Sequence, residues 1–196
     1  MKPEVLTKIR AAKESGATEL YLTDNNITNV ALLTEMTKLV TLSLPVLTEV
    51  TGDVFLFSYT EVFSWVSLPR LETVGGDFTT QYNWGLFSLS LPALQSVGGD
   101  LSVNYAPGLS WLLVPKLASV GDLIVTTTLL ESLSLPALTE VGDLHLDDNP
   151  LLTTLSIPLV AELDELVLVD NELFTTLSAP SLEMTHGQIM VGRCPE

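Results

Sequence analysis

The sequence predicts a β-rich solenoid, a right-handed parallel coil of about eight turns behind an N-terminal capping helix. Three observations predict it. A proline-marked repeat of about 22 residues runs through the chain, aliphatic columns keep fixed register with each proline, and Gly-Asp turns lead into short alternating segments.

The helix is read over residues 1–16. Val5, Leu6, Ile9 and Ala12 fall at helical spacings with Lys and Glu between them, and Gly16 follows as a stop. Such an element covers the first coil, whose apolar interior and strand edges would otherwise lie open.

The solenoid is read over residues 17–192. Apolar-proline pairs recur at Leu44-Pro45, Leu68-Pro69, Leu91-Pro92, Val114-Pro115, Leu135-Pro136, Ile157-Pro158 and Ala179-Pro180, at spacings of 24, 23, 23, 21, 22 and 22. Two residues after each proline stands Leu47, Leu71, Leu94, Leu117, Leu138, Val160 or Leu182. Three further on stands Val50, Val74, Val97, Val120, Val141 or Leu163, with Thr185 breaking the column.

Gly-Asp turns follow at Gly52-Asp53, Gly76-Asp77, Gly99-Asp100, Gly121-Asp122 and Gly142-Asp143, and Asp164-Glu165 replaces them in the next unit. After each turn the alternation of period two, as in Leu101-Ser102-Val103 and Leu144-His145-Leu146, predicts a strand with one face buried. A second strand, as at Leu89-Ser90-Leu91, leads into the proline, whose restriction on the preceding residue ends it at the same place each time. No unit of this size buries both stripes alone. The units must stack, with equivalent strands about 4.8 Å apart. Ile189-Met190-Val191 supplies a last strand, and residues 193–196 read as a short polar tail.

The segment Leu20-Tyr21-Leu22-Thr23-Asp24-Asn25-Asn26-Ile27 resembles the LxLxxNxL signature of leucine-rich repeats, as do Leu144–Leu151 and Leu166–Leu173. The wider unit LPxLxxVGGDLxV is similar to receptor L-domain repeats of cell-surface proteins, and the resemblance covers residues 17–192. It implies leucine-rich-repeat-like turns in which an asparagine column hydrogen-bonds the backbone of the turn. Asn25, Asn83, Asn149 and Asn171 match that column, whereas Tyr59, Ala106 and Thr128 do not, so the middle turns must close otherwise. The 21-residue spacing around Thr128 predicts a tightened coil there.

Composition narrows the functional classes. The chain is 46% hydrophobic and only 16% charged, which excludes a disordered composition. Pro, Gly, Asp or Glu interrupts every leucine run, so no membrane insertion is expected. The start of the chain shows no export signal and Cys194 stands alone, which reads as a cytoplasmic protein, with the cell surface or secretion as the alternative. A net charge of −16, with four of the eight basic residues within the first 13 positions, repels nucleic acid and suits a basic protein partner, or simply keeps the chain soluble and monomeric.

No GxSxG, HExxH, P-loop or paired CxxC is present, and neither an enzyme nor a cofactor is expected. Asp53, Asp77, Asp100, Asp122, Asp143 and Glu165 form a column that either bridges calcium or caps its own turns by hydrogen bonds. The capping reading is the one taken, with no metal expected. His145 beside Asp147 and Asp148 is likewise read as an ordinary surface residue.

Binding is expected on the outward positions of the post-turn strand, the sheet that takes the partner in leucine-rich repeats. The candidates are Tyr21, Phe55, Phe57, Gln81, Tyr82, Asn104, Tyr105, His145, Asp147, Asp148 and Asp170, with Phe55, Phe57, Tyr82 and Tyr105 as anchors. Some of these rings would serve equally well to stabilise a ladder on the sheet. The other strand carries Ser and Thr rows, among them Ser43, Ser67, Ser90, Ser134, Ser156 and Ser178, interrupted by Trp65, Trp111 and Leu113. The expected function is a non-enzymatic protein-interaction module, with an inhibitor or immunity-type protein as one form of it. The alternatives are a surface recognition or adhesion protein, and a structural or ice-binding solenoid.

Overall fold

A computed structural model describes residues 19–21, 41–57 and 64–192; of Glu19–Tyr21 and Phe57 it describes the backbone alone. Over these residues the chain winds as a parallel β-solenoid of about six turns. The expected cap helix at 1–16, the tail at 193–196, Asn25 and Tyr59 lie outside the described residues, and of the eight turns expected about six are described. No helix among the described residues is long and apolar enough to cross a membrane.

The main sheet holds seven parallel strands that follow the turns: Val54–Phe57, Phe78–Gln81, Leu101–Asn104, Leu123–Thr126, Leu144–His145, Leu166–Val169 and Ile189–Gly192. Equivalent residues pair from coil to coil, as in Leu101 with Leu123 and Leu144 with Leu166. That register carries the period-two pattern straight into the core. Leu101, Val103, Leu123, Val125, Leu144, Leu146, Leu166 and Leu168 are buried in the core, and the residues between them alternate to the other face of the sheet, where Ser102 and Val167 are also covered.

The strands that precede the prolines form the opposite face, but they do not make one sheet. Glu19–Tyr21, Thr41–Ser43, Trp65–Ser67, Ser88–Ser90 and Trp111–Leu113 form one ladder, while Ser132–Ser134, Thr154–Ser156 and Thr176–Ser178 form another. The ladder divides where the repeat shortens to 21 residues, the place expected to be tightened. At the corner, short strands at Thr73–Val74 and Ser96–Val97 continue only as single bridges through Ser119 and Glu140.

Between these faces the aliphatic columns make one hydrophobic cluster running from Leu42 to Leu168. The terminal coil has no neighbour on its far side, and Leu177, Ile189 and Val191, interior by register, are exposed.

The aspartate column caps backbone, but across coils and not within its own turn. The Asp77 N–H donates to Asp53 Oδ1 at 3.0 Å, Asp100 N–H to Asp77 Oδ1 at 3.0 Å, Asp122 N–H to Asp100 Oδ1 at 2.9 Å and Asp143 N–H to Asp122 Oδ1 at 2.8 Å. Each carboxylate so placed is stabilised by a charge-assisted hydrogen bond, which offsets the like-charge stacking. The ladder also explains the glycine before each aspartate. A Cβ at Gly76 would meet Asp53 Oδ1 at 1.9 Å, and one at Gly99 would meet Asp77 Oδ1 at 1.9 Å.

Candidate interaction surface

Among the described residues, five coils turn off the main sheet through a non-glycine residue with left-handed backbone. Tyr82, Tyr105, Thr127, Asp148 and Asp170 occupy that place, with φ of 53–55°. Asp tolerates this conformation, whereas Tyr and a β-branched Thr are disfavoured in it.

The next residue is the expected asparagine column, and it is buried throughout: Asn83, Ala106, Thr128, Asn149 and Asn171. Its amides reach back to earlier strands. Asn83 Nδ2 donates to the Leu56 carbonyl at 2.8 Å and to Thr80 Oγ1, and Asn149 Nδ2 donates to the Val125 carbonyl at 2.9 Å. Thr128 closes its turn by donating its N–H, at 3.1 Å, and its hydroxyl, at 2.6 Å, to Asn149 Oδ1. Ala106 offers no side-chain hydrogen bond; its side chain is buried and its turn is closed by the backbone, the Leu109 N–H donating to the Ala106 carbonyl at 2.9 Å.

The main sheet brings most of the expected binding residues together. Phe55 is exposed and aligns with Thr79, the Phe57 backbone aligns with Gln81, and Gln81 aligns with Asn104. Asn104 Oδ1 accepts a hydrogen bond from Thr126 Oγ1 at 3.1 Å. Tyr82 and Tyr105 stack, with ring centroids 5.1 Å apart and planes 14° from parallel, and Tyr105 remains 49% exposed.

Tyr21 does not join this group. Its strand pairs Tyr21 with Ser43, which puts it in the pre-proline ladder on the opposite face. A signature match at Leu20–Ile27 says nothing about which neighbour the strand finds.

Farther along, His145 lies in the outward row between Ile124 and Val167. Asp147 Oδ1 accepts from the Val169 N–H at 3.3 Å, Asp148 Oδ2 accepts from Thr127 Oγ1 at 3.0 Å, and Asp170 occupies its left-handed corner. Burial raises the Asp147 carboxyl above its ordinary value, and the charges of Asp170 and Asp148 add to this; the Val169 hydrogen bond and His145 pull the other way.

The largest exposed side chains were not among the expected binding residues. Trp65, Phe87, Trp111 and Leu113 lie on or beside the pre-proline ladder, and Trp84 lies in the loop joining it to the Tyr82 corner. Trp65 and Phe87 meet edge to face with centroids 6.1 Å apart. Trp65, Ser88 and Trp111 are in register on successive strands. Trp111 is 65% exposed, and it lines a groove of about 490 Å³ where the ladder divides, with Leu113, Pro115, Glu131, Ser132 and Pro136. Trp65, Trp111 and Leu113 had a signal in the sequence, since they interrupt the serine and threonine rows, whereas Trp84 and Phe87 had none.

The chain is thus a parallel β-solenoid with aromatic residues on both faces of its earlier coils, joined by an aromatic loop. No family model matches it, and no curated protein or solved structure matches it either.

Proposed function

We propose that this protein is a leucine-rich-repeat-type interaction module, with units of the receptor L-domain kind, that binds a basic protein partner and performs no catalysis. The single observation that carries the reading is the exposed aromatic surface of residues 55–113: Phe55, Trp65, Trp84, Phe87, Tyr105 and Trp111 all present large rings to solvent. Burying such rings in a partner gains contact area at little conformational cost, and Trp and Tyr dominate the energetics of protein interfaces.

Backbone conformation supports the same reading. Tyr82 and Tyr105 stand where the turn favours Asp or Asn, so turn stability does not account for them. The groove beside Trp111 adds a recess, and Glu131 at its edge suits a cationic side chain next to an apolar one. The net charge of −16 favours encounter with a basic partner and makes association salt-sensitive.

The test is capture of proteins from the source cell on the immobilised chain at low and at high salt, alongside the Trp65→Ala/Trp111→Ala double variant. A basic protein held at low salt by the original chain and released by the double variant supports the reading. A partner retained equally by both chains moves the site off this surface; no salt-sensitive partner at all removes the reading.

A further inference from the structure

The aspartate ladder stops at one place, and the way it stops leaves a set of donor atoms facing one another. Four carboxylates of the column each accept the backbone N–H of the next coil, ending with Asp122 and the Asp143 N–H. The following unit has Asp164-Glu165 where earlier units have Gly-Asp. At Gly76, Gly99, Gly121 and Gly142 a Cβ would fall 1.9–2.7 Å from the ladder carboxylate of the preceding coil. Asp164 has that Cβ. By the same geometry that Cβ would crowd a ladder carboxylate from Asp143, whose carboxylate lies beside His145, with Oδ2 4.0 Å from Nε2.

Strand geometry completes the set. Asp143 and His145 are two residues apart and so share a face, while pairing of Leu144 with Leu166 puts Glu165 alongside Asp143 on the next coil. Asp143, His145 and Glu165 bring one donor atom each within 4.8 Å of one another. His145 Nε2 lies 4.0 Å from Asp143 Oδ2 and 4.0 Å from Glu165 Oε2. These separations are too long for hydrogen bonds. Nε2 is itself buried and makes no hydrogen bond, an arrangement that costs free energy unless something sits between the three groups.

We propose that Asp143, His145 and Glu165 bind a divalent transition-metal ion of the zinc type. One imidazole and two carboxylates are a donor set such ions accept, at about 2.0–2.2 Å per bond, with water completing the coordination. Closing on the ion requires each donor to move inward by a few tenths of an ångström to about an ångström, which side chains about a third exposed can do. The imidazole makes calcium a poor occupant, since that ion takes oxygen donors. Bound there, the ion ties two successive coils together at the point where the hydrogen-bonded ladder ends, and it stabilises the folded chain by an amount that grows with the logarithm of the free metal concentration above its Kd.

Calorimetric titration of the metal-free full chain with Zn²⁺, and with Co²⁺ as a chromophoric probe, tests this. The expected result is one equivalent of Zn²⁺ per chain, a visible Co²⁺ spectrum indicating nitrogen coordination, and a rise in melting temperature with the metal. In His145→Ala the affinity should fall by more than about a hundredfold, beyond the range for loss of a merely supporting partner. Glu165→Gln should fall similarly, and circular dichroism should show both variants folded. His186→Ala should keep the affinity, because His186 faces Glu162 at 3.7 Å elsewhere on the surface. Equal affinity in the original chain and His145→Ala would assign the binding to the general acidity of the surface and overturn the site. So would the absence of a stoichiometric equivalent in the original chain.

Discussion

The coils of residues 54–113 and those of residues 123–192 share one interior and differ in what they turn outward. At the left-handed corner the earlier coils place Tyr82 and Tyr105, whereas the later ones place Thr127 and then Asp148 and Asp170, aspartate being a residue that tolerates this conformation. The earlier coils expose Trp65, Trp84, Phe87 and Trp111. The later ones have no exposed tryptophan or tyrosine among the described residues, and gather Asp143, His145 and Glu165 instead. Identical backbone demands are met by tyrosine at both earlier corners and by aspartate at two of the three later ones, Thr127 being the exception. The turn by itself does not account for Tyr82 and Tyr105, which is consistent with the interaction surface proposed on the earlier coils.

The largest expected effect tests whether the two regions are one folding unit. Leu144 is fully buried in the later region, and Leu144→Asp puts an uncompensated charge into the core at a cost of about 3–5 kcal/mol, a large part of a domain's stability. Because the hydrophobic cluster is continuous, far-ultraviolet circular dichroism and the near-ultraviolet signal of the tryptophans should be lost together. A surviving tryptophan signal would show that the earlier coils fold by themselves and would sharpen the division.

The next effect concerns binding. Losing Trp65 and Trp111 should weaken the captured partner by about 2 kcal/mol or more, on the order of thirtyfold in affinity by titration. Leu159→Ala with Leu173→Ala, equally exposed but in the later coils, should leave affinity unchanged. Matching losses in both double variants would erase the functional distinction between the regions.

A smaller change probes the corner itself. Thr127 is a β-branched residue at φ 55°, and Thr127→Asn should relieve about 1 kcal/mol of strain, seen as a rise of a few degrees in melting temperature without effect on partner binding. A fall would mean that its hydrogen bond to Asp148 outweighs the strain.

The smallest effect depends on pH. Since burial raises the folded-state pKa of Asp147, the folded chain takes up this proton more readily than the unfolded chain, and the contribution to stability is favourable at acid pH and lost as pH rises through the folded-state value. Asp147→Asn should therefore melt slightly higher than the original chain at neutral pH, and the difference should vanish once the carboxyl is protonated. A variant that melts lower at neutral pH would reverse the sign assigned to this group.

Much of the fold was legible because it is written as repetition. The prolines, the aliphatic columns and the alternating strands placed Leu101, Leu123, Leu144 and Leu166 in the core before any contact was known, and hydrophobic burial enforces the same outcome in every coil. The 21-residue spacing marked the coil at which the pre-proline ladder divides. Among the site residues, Phe55, Gln81, Asn104, Tyr82 and Tyr105 followed from period two and the strand register. The structure alone showed that Tyr21 pairs with Ser43, that each aspartate caps the coil beyond its own, and that Asp143, His145 and Glu165 converge. The physical reason is range. A column is a local pattern that one repeat declares, but which side chains meet depends on pairing across 21–27 residues, set by the packing of whole coils and by single substitutions such as Asp164 for glycine.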